Sequence, residues 1–330
     1  MKETNPNLDP ATGEARAIKE STWGIIYCPI EGGKGNWRKI KKYLDEKQVD
    51  YDCVQSQDPD SVMKVAAIFT RSGYRTIVVV GGDSALNYAL NGIMKTPSPT
   101  GTPPALGVIP DGLINDFAWY WKLERKNYKN TIDRLIRNNK RKVDVGIAIA
   151  TLSDDHKERN GAEKVDPTQY FLNSLNIGAV ASIVNIKRET KRFLVLSLLS
   201  YLISAFVLLF QRMSFKLEFS TAGETFSQRA MTLCVGSAHG YGQTPSASPY
   251  NGQLDVSLIT TPQLTQLFHG MWLLFSGRFL SHKGIKIWRT RQIEFHSLGN
   301  APISLDGRMM PKGVTHLKVT ILHEAIDFLI

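Results

Sequence analysis

The sequence predicts an α/β domain followed by a β-sandwich domain, on three observations. Short apolar strands alternate with helical stretches from Trp23 to about Ala150, the pattern of a doubly wound, mostly parallel sheet. Beyond about Val143 short alternating segments dominate and helices become few, as in packed antiparallel sheets. Three of the early strands run straight into glycine-containing turns, and open α/β sheets bind ligands beyond the carboxyl ends of their strands. A chain of 330 residues is too long for one compact core and fits two. The texture places a flexible leader at 1–20, the α/β domain at 21–145 and the sandwich at 146–330.

The elements follow in order. Gly24 to Cys28 is a buried strand, and Glu31-Gly32-Gly33-Lys34-Gly35 is a glycine-rich turn. Asn36 to Lys47 is an amphipathic basic helix, and Asp52-Cys53-Val54 is a short strand. Asp58-Pro59 supplies an N-cap and a proline at the first helical position, opening a helix through Thr70. Thr76 to Val80 is an unbroken β-branched run, as in a central parallel strand. It enters Gly81-Gly82-Asp83 and the helical pattern that starts at Ser84. A proline-rich loop then precedes a strand at Leu106 to Ile109. In the second half, strands are expected at 170–177, 215–219, 231–235, 254–259, 285–295, 303–305 and 317–322. Strict alternation from Leu317 to Ile321 gives one buried face and one wet face. Helical stretches are expected at 180–212 and 263–279.

Lys and Arg total 40 against 30 Asp and Glu, a net charge of +10. Such a surface favours anionic partners: nucleic acid, nucleotide phosphates or an anionic bilayer. No aromatic-basic interleaving supports nucleic acid. The three cysteines are far apart, which argues against a disulfide framework and for a reducing compartment. The polar N-terminus has no apolar core of a secretory signal. Phe193 to Phe210 carries no charge and sits at the length threshold for a membrane span. Ser197, Ser200, Tyr201 and Ser204 interrupt it, which favours a helix buried in a domain over one lying on a membrane.

The chemistry lies in three turns that follow strands: 31–35, 81–85 and 110–116. Glycine lets backbone N–H groups approach an anion, and a following helix N-terminus adds a favourable dipole. One such turn is commonplace, but three on one sheet edge indicate a nucleotide-phosphate site. No Walker A loop, G-x-G-x-x-G fingerprint, zincin motif or hydrolase elbow is present.

Gly81-Gly82-Asp83, Leu86-Asn87 and Asn91-Gly92, then Pro110, Gly112 and Asn115-Asp116-Phe117-Ala118, resemble the diacylglycerol kinase catalytic-domain family. That family includes bacterial lipid kinases and sphingosine kinases. Its fold is similar to NAD kinase and phosphofructokinase: an α/β nucleotide domain plus a β-sandwich domain. Further resemblance runs through 171–178, through Pro245, Gly252 and Leu254-Asp255-Val256, and through Asp306-Gly307.

The resemblance implies an ATP- and Mg2+-dependent lipid kinase that phosphorylates the hydroxyl of diacylglycerol or a related lipid from peripheral contact with a membrane. ATP would lie against Gly32, Gly33, Ser56, Gly81, Gly82, Asp83, Ser84, Ala85, Leu86, Asn87, Gly112, Leu113, Asn115 and Asp116. Asp306 and Asp83 are the candidates to take the acceptor proton, with Arg308 beside them to neutralise charge. Mg2+ would be associated with Asn251, Gln253 and Asp255. The implied location is cytoplasmic and peripheral to the membrane, and a homodimer stays open.

Several positions depart from the family pattern. Ser84 and Ala85 replace Gly and Thr, Leu113 replaces Thr, Tyr88 replaces Glu, Arg308 replaces Glu, Asn251 replaces Asp and Cys28 replaces Asn. A weakened nucleotide- or lipid-binding protein and a kinase for a soluble acceptor such as NAD therefore remain alternatives. Plainer structural roles also exist. Asp83 and Asp116 are natural helix caps. Asn251-Gly252 and Asp306-Gly307 are hairpin-turn dipeptides. The basic clusters at 187–192 and 137–142 read equally as solvated faces. Trp119, Tyr120 and Trp121 are either core or an apolar wall for a lipid tail.

Overall fold

A computed structural model describes residues 21–29, 35–56, 58–112, 115–153, 167–182, 214–260 and 284–330. These fall into two compact units, Met1–Val143 with Glu324–Ile330, and Asp144–His323. The first unit thus reclaims the last seven residues of the chain, a return that composition gave no sign of.

In the first unit, β1 (Trp23–Tyr27), β2 (Tyr51–Gln55), β3 (Thr76–Gly81) and β4 (Ala105–Pro110) form a parallel sheet in the order β2-β1-β3-β4. The end of β16 (Val314–Leu329) adds to it, pairing Phe328 with Leu106. β1, β3 and β4 are buried along their whole length, which is why they read as unbroken apolar runs. Helices α1 (Trp37–Glu46), α2 (Pro59–Arg71), α3 (Asp83–Met94), α4 (Asp116–Tyr120) and α5 (Tyr128–Ile136) connect the strands. The α2 start is the expected one: Asp58 accepts from Ser61 N–H at 2.7 Å in a reciprocal capping box. α2 and α3 touch closely at Gly92, where any β-carbon would stand 2.3 Å from the Met63 carbonyl oxygen.

The second unit is a sandwich. One antiparallel sheet runs β12 (Ile285–Thr290), β11 (Leu254–Ile259), β10 (Thr232–Gly236), β7 (Ser174–Gly178), β14 (Ile303–Leu305), β15 (Arg308–Met309). The other carries β16, β13 (Gln292–Ser297), β8 (Phe215–Thr221) and β9 (Glu224–Ala230). β5 (Lys140–Leu152) pairs with β6 (Thr168–Phe171). Their core joins Leu175, Leu233 and Val256 of one sheet to Phe219, Phe295 and Leu317 of the other. Each such side chain contributes roughly 1.5–3 kcal/mol when buried.

Two expected strands prove to be pairs. The segment 170–177 breaks at Leu172–Asn173, and 285–295 breaks at Arg291. In each case the two pieces join different sheets, so apolar texture continues through a corner where backbone pairing does not. β9 was not expected, because its alternation is carried by polar residues: Glu224, Thr225, Ser227 and Gln228. Of the expected helix over 180–212, residues 180–182 are described and helical; the rest of it, including Phe193 to Phe210, the expected helix over 263–279 and the basic cluster 187–192 lie outside the described residues. Among the described residues no helix is long and apolar enough to cross a membrane.

Candidate functional site

Because β1 to β4 are parallel, their carboxyl ends meet at one edge of the first unit. The register sets Tyr27 beside Gln55 and Val80, and Gly81 beside Pro110. The turns that follow are fastened together. Asp111 N–H donates to the Gly81 carbonyl at 2.9 Å. A β-carbon on Gly112 would stand 2.3 Å from Gly82 Cα, so the second and third turns touch backbone to backbone. The Asp83 carboxylate accepts from Asp116 N–H at 2.8 Å and Phe117 N–H at 3.3 Å. Asp83 therefore caps α4, not the helix it opens, as the turn chemistry had allowed. The α3 N-cap is Gly82, which has no side chain to occupy the first-turn N–H groups.

Asp111 completes the arrangement, and sequence reading passed over it. Its carboxylate is fully buried. It accepts from Asn36 N–H at 2.9 Å, Asn36 Nδ2 at 3.2 Å and Arg125 Nε at 3.1 Å. This ties the end of the first glycine-rich turn to the third. Burial first, and the Asp111 charge next, raise the pKa of Tyr27, so its hydroxyl stays protonated. The sequence signals only the need: an aspartate directly after a buried strand requires donors, and the fold supplies them from Asn36 and Arg125.

Ser56 lies at the same edge, its N–H donating to the Tyr27 carbonyl at 2.8 Å. Its hydroxyl is buried and has no hydrogen-bond partner among the described residues. Ser84 is exposed at the start of α3, whereas Ala85, Leu86 and Asn87 are buried. Asn115 closes its own turn, accepting from Gly112 N–H at 3.2 Å and donating to its carbonyl at 2.8 Å. Gly32, Gly33 and Leu113 lie outside the described residues. Trp121 packs against Phe117 and Phe328, while Trp119 is exposed, so the aromatic run divides between core and surface.

In the second unit the predicted residues have other engagements. Asp306 sits at φ 45° in the turn between β14 and β15. Its carboxylate accepts from the N–H groups of Leu172 at 2.8 Å, Asn173 at 3.0 Å and Ser174 at 2.9 Å. The three bonds tie the turn to the backbone that leads into β7. The geometry is that of a clasp between a turn and the start of β7. Arg308 donates to Gln169 Oε1 at 3.1 Å.

Asp255, buried on β11, is paired across the strands with Arg289 on β12, Nε to Oδ1 at 2.7 Å and NH2 to Oδ2 at 3.4 Å. The carboxylate raises the Arg289 pKa. Asn251 Oδ1 accepts from Gln253 N–H at 2.9 Å. Mg2+ demands several open oxygen ligands. A carboxylate already held by a guanidinium and an amide oxygen closed into its own turn do not fit that demand. Asp144 organises this turn. It accepts from Gly252 N–H at 2.7 Å and lies 2.7 Å from His323 Nδ1.

Two family models match the chain. The diacylglycerol kinase catalytic domain matches residues 25–148, and the YegS C-terminal NAD kinase beta sandwich-like domain matches residues 175–329. Residues 25–148 thus carry a diacylglycerol kinase catalytic domain, and residues 175–329 carry the sandwich-like domain. With that catalytic domain the protein is a kinase, a phosphotransferase that acts on an alcohol.

Curated relatives agree. A protein named diacylglycerol kinase from Staphylococcus saprophyticus is 25% identical over 290 residues, covering 86% of this chain and 87% of its own. One of the same name from Staphylococcus haemolyticus is 25% identical over 307 residues, covering 89% and 85%. A solved structure titled a diacylglycerol kinase from Bacillus anthracis superposes with a TM-score of 0.63 at 16% identity, covering 95% of this chain and 98% of its own. A second structure from that organism reaches a TM-score of 0.70 at 20% identity over the same shares. These structures show the α/β and β-sandwich fold.

Proposed function

We propose that this kinase transfers the γ-phosphoryl group of ATP to the hydroxyl of a membrane lipid, diacylglycerol or a lipid with the same free hydroxyl. One observation carries the reading. Asp111 holds Asn36 and Asp83 holds the start of α4 at one sheet edge, beside a buried Ser56 hydroxyl that has no partner among the described residues. A buried hydroxyl costs free energy unless something bonds to it, and a nucleotide phosphate or sugar oxygen at this edge supplies that bond.

Phosphoryl transfer depends mainly on positioning and charge neutralisation. Gly81, Gly82 and Gly112 allow close backbone approach, and Ser84 offers a hydroxyl where the family has glycine. Asp83 and Asp111 hold the turns in register. Asp306 keeps β7 against its turn. A divalent ion would enter with the nucleotide, because the 251–255 turn offers no open carboxylate. The +10 charge suits peripheral docking on an anionic bilayer.

The test is incubation with γ-labelled ATP, Mg2+ and vesicles containing diacylglycerol, next to the Asp83→Ala variant. Labelled lipid that disappears in the variant supports the reading. Binding of ATP without transfer to any hydroxyl lipid would replace it with a nucleotide-binding role. Labelled NAD under the same conditions would replace the lipid by a soluble acceptor.

A further inference from the structure

The outer face of the second unit carries a group of side chains that phosphoryl transfer does not use. Glu294 and His296 are two residues apart on β13, so both point to one side of the sheet. Phe295 between them is fully buried and pairs with Leu317 of β16, also buried. Their neighbours Glu294, His296 and His316 therefore share the opposite, solvent-facing side. His316 Nε2 lies 2.9 Å from Glu294 Oε1. The two imidazole rings are 5.8 Å apart, centre to centre, at 48°. One ligating atom from each of the three residues falls within 4.8 Å of the others.

We propose that Glu294, His296 and His316 form a binding site for a divalent first-row transition metal ion, Zn2+ in the first instance. Two imidazole nitrogens and one carboxylate oxygen match the ligand preferences of Zn2+, whereas Mg2+ and Ca2+ prefer all-oxygen sets. The strands set the spacing before any ion arrives: all three residues stand on paired strands whose inward side chains are locked in the core. Small rotations of the three side chains bring the ligating atoms to a common ion about 2.0–2.2 Å from each.

A fourth neighbour fits this role. Ser220 on β8 places its Oγ 3.0 Å from His296 Nε2, an orienting partner of the kind that fixes a ligating ring. Lys318 stands opposite Glu294 in the register and opposes the carboxylate's pull on the ion.

With the ion bound, β13 and β16 are cross-linked on the outside as their core residues join them on the inside. Three protein ligands leave at least one position for water. Binding to the folded chain alone raises its stability by linkage. Protons compete with the ion for the imidazole nitrogens.

The experiment uses the full, untagged chain stripped with chelator and titrated with ZnCl2 by calorimetry, with Co2+ absorption as the spectroscopic probe. The expected result is about one ion per chain and a rise in melting temperature. Excess Mg2+ should not displace the ion, and affinity should fall by about tenfold or more between pH 7.5 and 5.5. His296→Ala and His316→Ala should each weaken binding by about tenfold or more, while His239→Ala should not. Circular dichroism establishes that the variants remain folded. Absence of binding, or binding that the double variant His296→Ala/His316→Ala leaves intact, overturns the proposal.

Discussion

Gly82 Cα occupies the space that a β-carbon on Gly112 would need, the two positions falling 2.3 Å apart. Both partners in this contact are backbone, so neither can turn aside as a side chain could. Gly112→Ala must separate the second and third turns at the sheet edge. Overpacking of this kind costs about 1–3 kcal/mol, and the displacement disturbs the turns proposed to hold phosphate. The variant is expected to melt earlier and to lose ATP affinity by more than its loss of folded fraction explains. Calorimetric titration below the melting transition checks this. Unchanged affinity would place the nucleotide elsewhere.

Ser56 makes the opposite prediction for stability. Its hydroxyl is buried without a partner among the described residues, so Ser56→Ala removes an unmet desolvation cost. Melting temperature should stay level or rise, by up to about 1 kcal/mol of stability. ATP affinity should drop about tenfold if the nucleotide completes the bond. Denaturant unfolding and ATP titration on one preparation separate the two effects. A loss of stability with no loss of affinity would leave the hydroxyl without a ligand role.

The first unit was legible because a buried parallel strand writes itself as an apolar run. Thr76 to Val80 and Leu106 to Ile109 were marked within one or two residues of β3 and β4. Asp58 and Pro59 gave the α2 start for a reason local to four residues. What escaped depends on distant partners. Nothing around Asp111 announces Asn36, 75 positions earlier. Nothing around Asp306 announces the N–H groups of Leu172 to Ser174, more than 130 positions before it. A motif identifies a carboxylate, but only the fold decides what the carboxylate faces. That is why Asp255 reads as a metal ligand in sequence and meets Arg289 in space.

The Asp255–Arg289 pair is lopsided. The Asp255 side chain is 4% exposed and that of Arg289 is 52% exposed. Arg289→Ala leaves a buried carboxylate without its cation, and Asp255→Ala leaves a guanidinium that water can still solvate. Arg289→Ala should therefore lower the melting temperature more than Asp255→Ala does. The double variant should recover part of the loss. Thermal unfolding of the three variants decides it. Equal losses from both single variants would mean that the burial asymmetry carries no weight.

Cys53 gives a pH test. The residue reaches the surface on β2, yet desolvation of the thiol within the strand disfavours its thiolate and pushes the pKa up to about 12, against a smaller opposing pull from the Lys41 charge. A raised thiol pKa means fewer thiolates at any pH below it, and the thiolate is the nucleophile. Alkylation by iodoacetamide, followed peptide by peptide, should be slow at pH 8. It should climb about tenfold per pH unit through pH 10, where an unperturbed thiol with pKa about 8.5 has already levelled off. A plateau near pH 9 would contradict this.

Asp306→Asn separates the clasp from catalysis. Asparagine tolerates the left-handed backbone that Asp306 adopts at φ 45°, so the turn to Gly307 survives. What changes is the acceptor set. The amide keeps one oxygen, and its NH2 group turns a donor toward backbone N–H groups that the carboxylate satisfied at 2.8 to 3.0 Å. Loss of charge-assisted bonds at a buried site costs on the order of 3 kcal/mol. A clasp predicts that this stability loss dominates, and that kcat of the remaining folded enzyme stays within about tenfold. A proton acceptor predicts the reverse: near-normal melting and a loss of roughly 100-fold or more in kcat. Unfolding curves and turnover measured on the same variant at a temperature where it is fully folded distinguish these outcomes.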